Sequence, residues 1–215
     1  MRDSKKVVSL KAVSTHAESR TASFNHALNP SSAYIADLRD ILSHLDHAMI
    51  DRIATAIWQG YESGRTLYIF GNGGSAALAS HFACDIGKGT MAREKRPLKV
   101  VSLTDNVPLM TAWANDSNYE EIFAQQLRGL AEAGDLALAI SGSGNSKNVV
   151  RGLETAREMR LVPMALTGFG GGKVKDLCEL CVIAPAHNMQ HVEDCHLCAA
   201  HAIFTTVFRR MKNGA

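Results

Sequence analysis

The 215 residues, 46% of them hydrophobic, are enough to bury a full core, and a single domain is the expected organisation. The 23 basic and 21 acidic residues leave a formal charge of +2 and are spread along the chain without the Lys/Arg stripe of nucleic-acid binders. No apolar run approaches the roughly 18 to 20 residues of a spanning helix, so composition points to neither nucleic acid nor membrane, and a cytoplasmic protein is expected.

The opening "MRDSKKVVSLKAVSTHAESR" is basic at its start but has no sustained apolar region, and residues 1–30 are expected to form a flexible N-terminal extension to one domain over 31–215. The next segment, 32–64, has Leu38, Ile41, Leu42 and Leu45, then Ile50, Ile53, Ile57 and Tyr61, at helical spacing. It predicts a helical pair closed by Gly64. Apolar, β-rich runs follow at 66–70, 98–103, 136–140, 163–167 and 180–184, alternating with helical patterns. Each is nearly continuous in apolar residues, the pattern of strands buried on both faces, which predicts a doubly wound five-stranded parallel sheet flanked by helices. A long apolar-faced helix over about 192–211 ends the chain, and helices apolar on more than one side predict an oligomer.

Two glycine loops sit at predicted strand ends, "GNGGSAA" after Phe70 and "SGSGNSKN" after Ile140. Ligands of open parallel sheets bind beyond the carboxyl ends of the strands, where backbone N–H groups at helix starts favour anions. The loops therefore point to a phosphate monoester held by Ser141, Ser143 and Ser146, with Asn72, Gly73 and Ser75 facing it. Gly71-x-Gly73-x-x-Ala76 formally meets a dinucleotide fingerprint. Its acidic partner, Asp105, lies farther along than the usual ~20 residues, and no Gly-Lys-Ser/Thr follows either loop, so no nucleotide cofactor is expected.

His81 and Asp85 are four apart on the helix after the first loop, and Glu193, Leu197 and His201 form an i, i+4, i+8 stripe on the last helix. If the two helices face one another, two imidazoles and two carboxylates converge beside the phosphate cradle. That set suits proton transfer at a carbon next to a carbonyl, and equally suits tetrahedral zinc. His191 and His196 leave the stripe and read as structural or surface groups. The pairs Cys178/Cys181 and Cys195/Cys198 have the spacing of a zinc ribbon, but one borders a buried strand and the other lies on a helix, so they read as core thiols of a reducing compartment.

"FGNGGSAALASHFACD", "SLTDNVPLMTAWAND", "GDLALAISGSGNSKNVV" and "VPMALTGFGGG", in this order and spacing, resemble the sugar isomerase (SIS) domain proteins, specifically their phosphoheptose isomerase branch, over 32–215. The resemblance implies a flavodoxin-like SIS domain, a homotetramer with active sites between subunits, and isomerisation of sedoheptulose 7-phosphate to a heptose 7-phosphate for bacterial heptose synthesis. It implies that Asn72, Ser75, Ser141, Ser143 and Ser146 bind phosphate and that Asp105 contacts substrate. It makes Asp85 the base and His201 the acid, and places zinc as a candidate cofactor on His81, Asp85, Glu193 and His201. Three positions depart from the branch: Asp85 stands for a glutamate, Glu193 for a glutamine and Gln190 for an aspartate. A closely similar branch is a tetrameric scaffold that binds the bacterial replication initiator, and a sugar-phosphate sensor would use the same loops without turnover. His81, an acid at position 85 and His201 together favour the enzyme.

Overall fold

The computed structural model describes residues 29–91 and 96–213, so the expected N-terminal extension lies outside the described residues apart from Asn29 and Pro30. Asn29 opens α1 (Pro30–Ser43), its side chain accepting from the Ser32 N–H at 2.8 Å with Pro30 in the first turn. Asp46 caps α2 (His47–Glu62) in the same way through the Met49 N–H at 2.9 Å. The helical spacing read in this segment is the buried face of α2: Ile50, Ile53, Ala54, Ile57 and Trp58 all point inward. Gly64, at φ +74°, ends the pair and turns the chain into the sheet.

The sheet comprises β1 (Thr66–Gly71), β2 (Lys99–Ser102), β3 (Leu136–Ser141), β4 (Val162–Thr167) and β5 (Leu180–Ile183), all parallel, in the order β2-β1-β3-β4-β5. The connecting helices are α3 (Gly74–Cys84), continued by a π-helical turn at Asp85–Gly89, then α4 (Val107–Asp116), α5 (Ala124–Leu130) and α6 (Lys147–Glu158). The chain closes with α7 (Met189–Asn213). The expected doubly wound architecture is present. One core packs α2, α3 and α7 on Leu67, Ile69, Leu138, Ile140 and Leu166. The other packs α5 and α6 on Tyr68, Phe70, Ala137, Ala139 and Ala165.

All six residues of β3 are buried, as a central strand covered on both faces requires. The edge strand β2 departs from that pattern, with Lys99 and Val101 exposed, because it has a neighbour on one side alone. The five cysteines are free thiols. Burial pushes Cys178 up to about 12 and Cys181 and Cys195 up to about 11, as it does for thiols packed in a core.

This strand order reverses direction between β1 and β3, and ligands of such sheets bind outside the carboxyl ends at that point. Both glycine loops start there, since Gly71 is paired with Ile140 at the ends of the two strands. A Cβ on Gly71 would stand 2.6 Å from the Ile140 carbonyl oxygen and 2.8 Å from Ser75 Cβ. Neither strand backbone can yield cheaply, so Gly71→Ala should lower the urea unfolding free energy by about 1–3 kcal/mol. An unchanged midpoint would show that the strands can part.

Candidate functional site

The first loop enters α3 through Gly73, whose φ of 55° and ψ of −123° suit glycine, and no side chain caps the helix. Ser75 is buried in its first turn. The second loop leaves the buried Ser141, turns through Gly144 at φ +64°, and enters α6 at Ser146, whose hydroxyl makes no capping bond. Side chains of the N-cap residues cap α1, α2 and α4, whereas Gly73 and Ser146 make no such bond, and in the first turn of α6 the Val149 N–H donates to Asn148 Oδ1 at 3.0 Å. Ser143 Oγ accepts from the Asn145 N–H at 3.2 Å, which leaves its own O–H free to donate. Both loops thus bring backbone N–H groups and serine hydroxyls, the donors that an anion uses, to the switch-point end of the sheet.

Along one face of that site, α3 and α7 run side by side in the same direction. At the N-terminal end, a Cβ on Gly74 would lie 2.5 Å from a Glu193 carboxylate oxygen. Seven residues on, His81 Nε2 stands 3.1 Å from His201 Nε2. Asp85 Oδ2 is 3.2 Å from the first ring nitrogen and 3.7 Å from the second. The π-helical turn begins at Asp85, and such wide turns recur at functional sites. It brings the backbone close to its neighbours, for a Cβ on Gly89 would meet the Phe204 ring at 2.7 Å.

His81, Asp85 and His201 offer three ligand atoms within 4.8 Å of one another. Zinc with bonds near 2.0–2.1 Å in a tetrahedron separates its donors by about 3.3 Å, close to these three spacings, so the residues fit that metal with a fourth position open. Glu193 is not gathered into this group. Its carboxylate lies about two turns upstream, at the start of α3.

Between the two ends lies a cavity of about 300 Å³ lined by Gly74, Ser75, Leu78, His81, Glu193 and His196. His196, read from the sequence as structural or surface, is 1% exposed, and among the described residues its ring nitrogens complete no hydrogen bond, with the Thr167 backbone nearby. An unsatisfied buried polar group costs about 1–3 kcal/mol, which makes this residue a finding that the stripe pattern missed. Its sequence signal was the i, i+3 spacing from Glu193, which puts both on adjoining faces of α7. Asp194, beside them, accepts a short hydrogen bond from the Tyr34 hydroxyl, and that bond, with burial, pushes Tyr34 up to about 12.

Asp105 is placed elsewhere, on a different face of α3, where the Ser80, Ser102 and Thr104 hydroxyls surround its Oδ1. It opens on a second cavity of about 650 Å³. Asn72 exchanges side-chain hydrogen bonds with Asn148, a buried residue in the first turn of α6.

Residues 33–168 match the family model described as "SIS domain". A phosphoheptose isomerase of Aquifex aeolicus is 39% identical over 151 residues, covering 70% of this chain and 76% of the relative. A probable phosphoheptose isomerase of Thermoplasma volcanium is 34% identical over 186 residues, covering 86% and 94%. The solved phosphoheptose isomerase of Neisseria gonorrhoeae superposes with a TM-score of 0.77 at 28% identity, over 82% of this chain and 96% of that one.

The donor spacing leads to a direct expectation. Zinc should raise the Tm of the purified protein, by the equivalent of about 2.7 kcal/mol at a hundredfold excess over Kd, and His201→Ala should remove most of that rise. A zinc-induced rise that survives His201→Ala would place the metal elsewhere.

Proposed function

Because the chain belongs to the SIS-domain family, we propose that it is a sugar-phosphate isomerase that interconverts an aldose and a ketose, with sedoheptulose 7-phosphate as its substrate. The observation that carries this reading is the two-ended seam of α3 and α7. An anion site stands at one end, and a cluster of two imidazoles and a carboxylate stands at the other. Ser75 and His81 are six residues apart, about 9 Å along the helix. A sugar chain anchored by its terminal phosphate would bring its carbonyl end to the cluster.

In this reading Ser141, Ser143, Ser146, Ser75, Asn72 and Gly73 hold the phosphate, which anchors the substrate far from the reacting carbons. Asp85 removes a proton from C1 of the ketose while His201 gives one to the C2 carbonyl oxygen, producing an enediol. Return of the carbon-bound proton at C2, with loss of the O1 proton to the imidazole, gives the aldose. His81 sits against both groups and orients them. Zinc, held by His81, Asp85 and His201, would polarise the substrate's oxygens as a Lewis acid. Glu193 would join that ligand set by turning away from Gly74. Asp105 would contact the sugar from its own cavity.

The protein is proposed to work as a homotetramer in the cytoplasm. α1 has no fully buried residue although it carries Tyr34, Ile35, Leu38, Ile41 and Leu42, and Ile35 is 61% exposed. The His81 and His201 side chains are half exposed, as they would be if a neighbouring subunit closed the site. No helix among the described residues is long and apolar enough to cross a membrane. A scaffold would have no use for His81, Asp85 and His201 drawn together, with His81 lining a cavity.

Incubation with sedoheptulose 7-phosphate, with added zinc or with chelator, should yield the aldose phosphate. His201→Ala should lower kcat by about 10²–10⁴ without altering the Tm of the zinc-free protein. Ser143→Ala should instead raise KM roughly tenfold, the worth of one hydrogen bond to a charged oxygen. Tight binding of the ester without turnover by the wild type would favour a sensor.

A further inference from the structure

Glu193 stands on α7 against the first turn of α3. A Cβ built on Gly74 would lie 2.5 Å from one of its carboxylate oxygens and 3.1 Å from the other, so the glycine admits a charge that any side chain would push away. Glu193 is exposed and lines the same cavity as Ser75 and His81. Among the described residues it makes no ion pair and no side-chain hydrogen bond, whereas the neighbouring Asp194 is held by the Tyr34 hydroxyl. Of the two acids on this wall, Glu193 is the one free to turn.

The start of α3 has no capping side chain, and the helix dipole there favours an anion. In the ligand-free protein that anion is Glu193. A phosphate received beside Ser75 would meet a like charge at close range, in a partly closed cavity where salt screens the repulsion poorly. The other place for the carboxylate lies farther along the seam, where His81, Asp85 and His201 gather three donor atoms within 4.8 Å of one another. Helical side chains lean toward the N-terminus of their own helix, so the His201 ring comes back toward Glu193 and shortens the about 12 Å that separates the two residues along the axis. A divalent cation held there attracts the carboxylate that the phosphate repels. We infer that Glu193 couples the two ends of the site: it occupies the start of α3 while no phosphate is bound, and an arriving phosphate turns it to the His81–Asp85–His201 cluster, which then holds a metal more tightly. The inference rests on the sugar-phosphate reading and names how that site is regulated. The glutamine that the resemblance leads one to expect at this position carries no charge for a phosphate to repel, so the coupling belongs to the glutamate of this chain.

Sulfate is the probe, a dianion of phosphate's shape that leaves zinc in solution. Calorimetry on the full-length protein measures sulfate affinity with metal removed, and zinc affinity in saturating sulfate against chloride of equal ionic strength, for wild type, Glu193→Gln and Glu193→Ala. With metal removed, both variants should bind sulfate roughly tenfold more tightly than wild type, since the internal competitor is gone. Sulfate should raise the zinc affinity of wild type roughly tenfold, and zinc should raise its sulfate affinity by the same factor, because coupling between two ligands is reciprocal. Both variants should lose most of this gain and keep the direct attraction between the bound ions. Equal sulfate affinities in the three metal-free proteins overturn the inference, as does a zinc gain in either variant as large as that of wild type. Sulfate that binds none of the three forms would sink the phosphate site and the inference with it. Sulfate bound by all three without any effect on zinc affinity would leave the sugar-phosphate reading standing and sink the coupling alone.

Discussion

Two amides set the spacing of the site. Asn72 Nδ2 donates to Asn148 Oδ1 and Asn148 Nδ2 donates back to Asn72 Oδ1, each at 2.8 Å, and the Tyr119 hydroxyl adds a third bond at 3.1 Å. This closed pair ties the loop after β1 to the first turn of α6, across the point where the strand order reverses. A reciprocal amide pair forms at one separation and one orientation, so it acts as a gauge between the loop after β1 and the start of α6. Gly71 permits the approach, since any side chain there would strike the Ile140 carbonyl, and Gly144 packs its own backbone against that of Gly171. With the loops held at that distance, the two helix starts lie at the same end of the sheet, where the proposed phosphate would be held.

The reactive end depends on a different constraint, the parallel run of α3 beside α7. In that arrangement, residues spaced by two turns on one helix meet residues spaced by two turns on the other, so the Gly74–Glu193 contact at the start fixes the His81–His201 contact farther along. The π-helical turn at Asp85–Gly89 lets α3 end without leaving the seam, and the glycines within it admit Val100 and Phe204 at close range. Asp85 therefore belongs to the site because of a backbone irregularity as much as its side-chain type.

The fold was readable in the sequence because a parallel sheet covered on both faces needs unbroken apolar strands, and β1, β3 and β4 show them. The edge strand β2 has two exposed positions, and its apolar residues reflect pairing more than burial. Periodicity correctly put His81 beside Asp85, but it also grouped Glu193 with His201. Residues eight apart share a face of a helix yet stand about 12 Å apart along it, so a common face does not make a common ligand set. Asn148 and His196 escaped notice for a related reason. Their importance lies in burial and in partners distant in the chain, and neither residue type announces that in a linear pattern.

The two carboxylates at positions where the resemblance leads one to expect a glutamate and a glutamine, Asp85 and Glu193, stand at opposite ends of the seam. Asp85 is one methylene shorter than the glutamate that the resemblance leads one to expect, yet its Oδ2 still lies within 3.7 Å of both imidazoles. The shorter chain costs less rotamer entropy to hold there. Glu193 puts its charge at the N-terminus of α3, where unpaired N–H groups and the helix dipole favour an anion. A bound phosphate would compete for that same favourable potential, so the extra charge should be felt at the anchoring end of the substrate more than at its reacting carbons. In the proposed function the seam thus separates its two acids: Asp85 lies at the end where protons or a metal would be handled, and Glu193 at the end where the phosphate would be received.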